Sequence, residues 1–350
     1  MTGKERTMVA ISGKKPDKVP LFDFLEGRRI FKKVLGKNIN NPDGQDIVEC
    51  SRNLGLDAAF VAYGGFYNSE NSKIGDIYID EWGVGYKNTG RSWPIDAPYS
   101  HPVKNREELK KWLKKTPDPN LPGRLEDIKK AINGSNSQIA IFGGIVGPFT
   151  TAILVFGFDA LLLNLIIDPS LVEEVFKVSC DFYNVAASKM IDSGVDAIFL
   201  CEDLGFKTST FASPDIYRRH LFPFLFDQID KINQKKIPVL FHCDGNINEI
   251  IDDLVGSGIR ALHPLEKKSN MDLNKIRKRY KNNLCLIGNI DASSTLVYGS
   301  KKEIEKEVRD TIEIAGKDGA FILASDSDYH DGIPPENFIY MVNAGKKFGK

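Results

Sequence analysis

A histidine and an aspartate two residues apart, His242 and Asp244 in the run FHCDGN, are the densest chemical signal in this 350-residue sequence. The run leaves an apolar segment, IPVLFH (237–242), and residues i and i+2 of an extended chain face the same side. An imidazole and a carboxylate placed in that way can share one metal ion or one substrate proton. Cys243, between them, points the other way and reads as packing. His-x-Asp is a short pattern, and it gains weight from other polar residues that follow comparable apolar runs. Glu202 and Asp203 follow VDAIFL (195–200), and His263 and Glu266 belong to or follow IRALHP (259–264). Asn289 and Asp291 fall at the end of LCLIGNI (284–290), and Asp326, Asp328 and His330 follow GAFILAS (319–325). Nearer the amino terminus, Glu26, Arg28 and Arg29 follow VPLFDF (19–24), and Tyr63 closes DAAFVAY (57–63).

These residues divide by chemistry. His242, Asp244, Glu202, Asp326 and His330 are the catalytic candidates. Arg28, Arg29, Tyr63, Asp203, Asn289 and Asp291 are candidates for substrate binding, and His242, Asp244 and Glu266 for a metal. A plainer reading stands beside each. Carboxylates just before helices commonly serve as N-caps, two arginines can head a solvated helix, and His263 before Pro264 reads equally as a loop histidine satisfied by its surroundings.

Eight short apolar runs, the seven above with QIAIFG (138–143), alternate with helix-period stretches. Asp168 with Pro169 opens one helix and Gly194 stops it; Ser213 before Pro214 opens another. NREELKKWLKK and KKEIEKEVRDTIEIAG are amphipathic. Alternating βα units call for a parallel sheet buried on both faces, and eight of them close a (β/α)₈ TIM barrel, with chemistry at the carboxyl ends of the strands. A doubly wound open sheet is the alternative, but EGRRIFKKVLG after the first run is not a glycine-rich phosphate turn. The expectation is one domain, 1–350, with an insertion at 64–137 after the second strand. That insertion contains IYIDEWGVGYKNTG and RSWPIDAPYSHPVKN, a lid or substrate wall.

The 47 basic and 47 acidic residues cancel, so nothing favours attraction to a nucleic acid. Five cysteines without a CxxC pair suit a reducing cytosol. The polar start MTGKERTMVAISGKKPDKVP has no apolar region of the kind that directs export. FTTAILVFGFDALLLNLII (149–167) approaches the length of a membrane span, but Asp159, Asn164 and two threonines make it read as a buried helix.

GVDAIFLCEDLGF, FASPDIYRRHLFPFL, FHCDGNINEIIDDLVGSGIRALHPLE, LIGNID and FILASDSDYHDGIPPENF together resemble the uroporphyrinogen decarboxylase superfamily, which includes corrinoid-linked methyltransferases. The resemblance covers most of the chain and implies the same barrel. True decarboxylases carry an arginine motif of the type MRQAGRY that holds substrate carboxylates, where this sequence has FLEGRRIF. They also place a histidine in the last strand's loop, near Ser327 here, with His330 three residues on. The methyltransferase branch holds zinc through His-x-Cys and a distant Cys; it lowers a thiol's pKa for attack on a cobalt-bound methyl group, or activates a methyl donor for reduced cobalt. This chain keeps His242, has Asp244 in place of the cysteine, and has no cysteine in SDSDYHDG.

The resemblance therefore implies a corrinoid-dependent methyltransferase-like enzyme. It would move a methyl group between a small methylated donor, a corrinoid protein and an acceptor such as tetrahydrofolate or a thiol, with zinc as the candidate metal. His242 and Asp244 would bind the metal or polarise the substrate, Glu202 and Glu266 would complete the site or move protons, and Asp326 and His330 would close over it. The rivals are a tetrapyrrole decarboxylase using Arg28 and Arg29, and a non-catalytic corrinoid-binding barrel.

Overall fold

The β-branched and aromatic runs alternate inward and outward residues, and a parallel sheet is the arrangement that buries both sets. The computed structural model describes residues 1–39, 41–64, 77–87 and 98–350. Its strands are β1 (Ala58–Ala62), β2 (Ile77–Ile79), β3 (Gly85–Lys87), β4 (Pro98–Ser100), β5 (Ala140–Val146), β6 (Ala197–Cys201), β7 (Val239–His242), β8 (Ala261–His263), β9 (Cys285–Ile290) and β10 (Phe321–Ser325). Seven of them form one parallel sheet in the order β1-β5-β6-β7-β8-β9-β10; β2, β3 and β4 form a small antiparallel sheet.

Two cores separate along the alternation. Phe142, Ala197, Phe199, Leu240, Ala261, Ile287, Ile322 and Ala324 pack together on the inner face, joined by Ala10 and Ile11 of the helix Gly3–Ile11. Ile141, Ile198, Leu200, Phe241, Leu262, Leu286 and Leu323 face outward against the helices. The sheet thus curls around an aromatic interior, and the carboxyl ends of its strands converge on one rim.

The first apolar run departs from expectation. Residues 19–24 make isolated parallel bridges, Leu21 to Leu323 and, just beyond, Leu25 to Tyr329, and no continuous strand. Pro20 has no N–H to give a ladder. Side-chain carboxylates take ladder positions on both sides: Asp57 accepts from the Leu21 amide at 2.9 Å, and Asp23 from the Ser325 amide at 2.8 Å. Backbone bonds still run to both neighbours, from Phe22 N to Leu323 O at 3.0 Å and from Asp57 N to Leu21 O at 2.7 Å.

Residues 149–167 also differ from the single buried helix expected. They lie in two helices, Pro148–Phe156 and Phe158–Ile167, bent by 109° about Gly157. Gly157 has φ 82°, and a Cβ there would meet the His101 ring at 2.8 Å. The second helix is buried on one side only: Leu161 and Leu165 are buried, while Leu163, Ile166 and Ile167 are 56%, 71% and 66% exposed. Among the described residues no single helix is long and apolar enough to cross a membrane. Pro169–Ser193 ends at left-handed Gly194 as expected, and the amphipathic helix Lys301–Ala315 opens on a Ser300/Glu303 capping box. The Asp168 carboxylate does not cap its own helix; it is paired with Arg106.

Candidate metal centre

Cys201, His242 and His263 are Cα partners across β6, β7 and β8, so they stand level at the carboxyl rim. Level residues on adjacent strands put their side chains on the same face. His242 Nδ1 and His263 Nδ1 are 2.7 Å apart, and His263 is fully buried. Alternation past the strand ends then turns Asp203 and Asp244 to the His242 side. Asp203, His242 and Asp244 each offer one donor atom, all within 4.8 Å of one another.

The centre is acidic and poorly solvated. Asp244 Oδ1 is shielded from solvent and has no hydrogen-bond partner. Burial, with Asp203, Asp328, Glu266 and Asp326 nearby, pushes the Asp244 carboxyl well above its usual range. Burial lowers the pKa of His242 against the opposing pull of Asp203 and Asp328, which leaves a neutral imidazole able to act as a ligand. Two carboxylates and a neutral imidazole suit a divalent cation, zinc included, and the orphaned Asp244 oxygen is an atom such a cation would satisfy.

Glu266, expected as the third ligand, is outside this trio. Its carboxylate accepts from the Gly245 amide at 3.2 Å and the Ser269 hydroxyl at 2.7 Å. Asp203, expected on the substrate side, is the third member of the trio. Glu202, expected to move protons at the site, lies on the other side of the chain. It accepts from the Phe149 and Thr150 amides at 2.8 Å each and so caps the helix Pro148–Phe156. A Cβ on Gly147, the N-cap residue, would collide with the Glu202 carboxyl.

A cavity of about 170 Å³ adjoins Asp244 and is lined by Glu266, Asp326, His330, Ser293 and Ser327. Burial raises the Asp326 carboxyl to about 6, although it accepts from the Ala292 amide at 2.8 Å. His330 Nδ1 accepts from the Gly332 amide at 3.1 Å. Asp291 is bound into its own loop: burial pushes its carboxyl up, but the Ser294 and Ser293 donors outweigh that and hold it at about 2. The buried Asn289 donates to Leu265 O at 3.0 Å.

Three other candidates are engaged elsewhere or have no partner at the trio. Tyr63 is buried and donates to Pro119 O at 2.7 Å. Arg29 is exposed and held by Asp331, its Nη1 donating to the Asp331 carbonyl at 3.0 Å. Arg28 Nε is shielded and lacks a partner. Two further buried acids stand at this rim, Asp23, which the sequence does not single out, and Glu26, which follows the first run without an assigned role. Asp23 and Glu26 are each raised to about 8, first by burial, with Asp328 adding to it. Cys243 packs in the outer core, as read.

A family model described as uroporphyrinogen decarboxylase (URO-D) matches residues 94–348. The chain belongs to the uroporphyrinogen decarboxylase family. Within URO-D relatives, methylcobamide:CoM methyltransferase MtaA of Methanosarcina barkeri is 25% identical over 229 residues, 65% of this chain and 64% of that protein. The chloroplastic uroporphyrinogen decarboxylase of Nicotiana tabacum is 22% identical over 253 residues, 70% of this chain and 62% of that protein. The matches thus span just under two thirds of these relatives' lengths. A solved structure described as a methyltransferase from Methanosarcina mazei superposes with a TM-score of 0.75 at 21% identity, covering 99% of each chain. That likeness places the URO-D chain in the same α/β fold.

Proposed function

We propose that this chain is a methyltransferase that works with a corrinoid, holding a divalent metal, zinc for preference, through Asp203, His242 and Asp244. The observation that carries the reading is the trio itself: three donor atoms within 4.8 Å, one of them the shielded, unpartnered Asp244 oxygen. Similarity to a protein named as a methylcobamide:CoM methyltransferase supports the choice of chemistry. A metal bound there would act as a Lewis acid, lowering the pKa of a thiol or hydroxyl brought to it.

The chain's own residues do the rest. His242, uncharged, and the two aspartates are the residues that would hold a cation at the rim. Asp326 and His330 line the adjoining cavity, where Asp326, raised to about 6, can take up or return the acceptor's proton near neutral pH. Glu266 and Ser293 shape the same wall. The donor is a small methylated compound, the partner a corrinoid protein, and the acceptor a thiol or tetrahydrofolate. We read residues 1–350 as one domain and residues 19–24 as the eighth stave closing a barrel; of the insertion read at 64–137 as a lid or substrate wall, residues 65–76 and 88–97 lie outside the described residues. Five unpaired cysteines suit the cytosol.

The decarboxylase reading needs cations for several substrate carboxylates. Arg29 is committed to Asp331, and the rim instead gathers Asp203, Asp244, Glu266, Asp326 and Asp328. Parallel assays separate the readings. Under anaerobic conditions the spectrum of methylcobalamin should change to that of demethylated cobalamin with a thiol or folate acceptor, while uroporphyrinogen should yield no decarboxylated porphyrin. The reverse pattern would establish the decarboxylase; no turnover in either would favour a binding barrel.

A further inference from the structure

His263 plays no part in the function proposed above, yet its ring is in direct contact with the proposed ligand His242. At 2.7 Å between the two Nδ1 atoms there is room for one proton only, so one ring donates and the other accepts. Two arrangements are open. If His242 donates, its Nε2 keeps a bare lone pair for a cation, and His263 carries its proton on Nε2. If His263 donates, His242 Nε2 bears a hydrogen that bars a cation, and His263 Nε2 is a bare lone pair.

A cation on His242 chooses between them, because only the first arrangement leaves a bare lone pair on His242 Nε2. His263 Nε2 is buried without a polar partner. The ring sits among Phe24, Phe199 and Phe22, with centroids at 4.9, 5.4 and 6.3 Å. No hydrogen bond at His263 Nε2 opposes that choice. The first arrangement is favoured.

We infer that His263 is a positioning residue that fixes His242 as the Nδ1–H tautomer and presents His242 Nε2 to a divalent cation shared with Asp203 and Asp244. This rests on the metal reading of the proposed function. Ligating histidines generally give their second N–H to an oxygen acceptor, and loss of that acceptor weakens metal binding about 10- to 100-fold. Here the acceptor is a second imidazole.

Zn²⁺ affinity by competition with a chromophoric chelator tests the inference, using wild type, His242→Ala and His263→Phe, with the visible bands of Co²⁺-loaded protein as a spectroscopic readout. His263→Phe should bind Zn²⁺ about 10- to 100-fold more weakly and shift the Co²⁺ bands. Unchanged affinity and bands in His263→Phe, with binding lost in His242→Ala, would overturn the inference alone. A wild-type protein that binds no Zn²⁺ would sink the metal reading and the inference with it. Should His263→Phe fail to fold, side-chain ¹⁵N shifts of the Zn²⁺-loaded wild type decide. His242 protonated on Nδ1 and His263 on Nε2 is the expected pattern, and the opposite pair of tautomers refutes it.

Discussion

Replacing Glu26 by Gln should stabilise the protein, and by more as the pH rises. Glu26 Oε2 is shielded from solvent with no hydrogen-bond partner, and burial followed by Asp328 raises its carboxyl from 4.5 to about 8. An acid with a raised folded pKa holds its proton in the native state after the unfolded chain has released it. Stability associated with it is therefore full below pH 4.5 and falls as the pH climbs towards 8. Each unit of that interval is worth about 1.4 kcal/mol, so at pH 7 the penalty is roughly 3 kcal/mol as an upper figure. Gln is nearly isosteric and cannot ionise. Urea unfolding of wild type and Glu26→Gln in the presence of a chelator, at pH 5, 7 and 8, should show the variant's advantage growing by about 1–3 kcal/mol. An advantage that stays constant with pH, or a wild type that gains on the variant as pH rises, would refute the reasoning.

Other consequences can be checked as directly. Glu202→Gln at pH 5 should cost about 1–3 kcal/mol in urea unfolding, because an amide nitrogen offers no lone pair to the Phe149 or Thr150 amide, with Zn²⁺ affinity unchanged. A stable Glu202→Gln that loses metal would restore Glu202 to the chemistry. Arg6→Ala should cost about 3–5 kcal/mol by thermal or urea unfolding, since it strips the 2.6 Å buried ion pair from Asp57, which also holds the Leu21 amide. Asp244→Asn should lower Zn²⁺ affinity at least about tenfold in the chelator assay. X-ray absorption of zinc-loaded protein should show only nitrogen and oxygen neighbours near about 2.0–2.1 Å; a sulfur shell at about 2.3 Å would bring a cysteine into the centre.

His242 and Asp244 were legible because alternation within one strand end is local. The same rule applied to Cys201, Glu202 and Asp203 would have turned Asp203 inward and Glu202 outward, since Cys201 packs against the inner core. The plainer N-cap reading of such acids fits Glu202 as the structure places it. The pairing of His263 with His242 depends on the register between β7 and β8, which is a tertiary fact and leaves no mark in spacing along the chain. Seven apolar runs became strands; the first did not, because Asp23 and Asp57 supply side-chain oxygens where a backbone ladder would run. The helix Gly3–Ile11 went unread, its polar start GKERT masking the Ala10 and Ile11 that enter the inner core. Nor did composition reveal that Gly157 would break residues 149–167 into two helices and leave the second with an exposed apolar face.

The most direct test of the account is metal-dependent methyl transfer in one cuvette. Chelator-stripped protein is mixed anaerobically with methylcobalamin and a thiol or folate acceptor, and Zn²⁺ is titrated in while the visible spectrum is followed. The account predicts no demethylation before zinc, a rate that saturates near one equivalent, and none at any zinc level for His242→Ala. A rate indifferent both to zinc and to His242→Ala would contradict it.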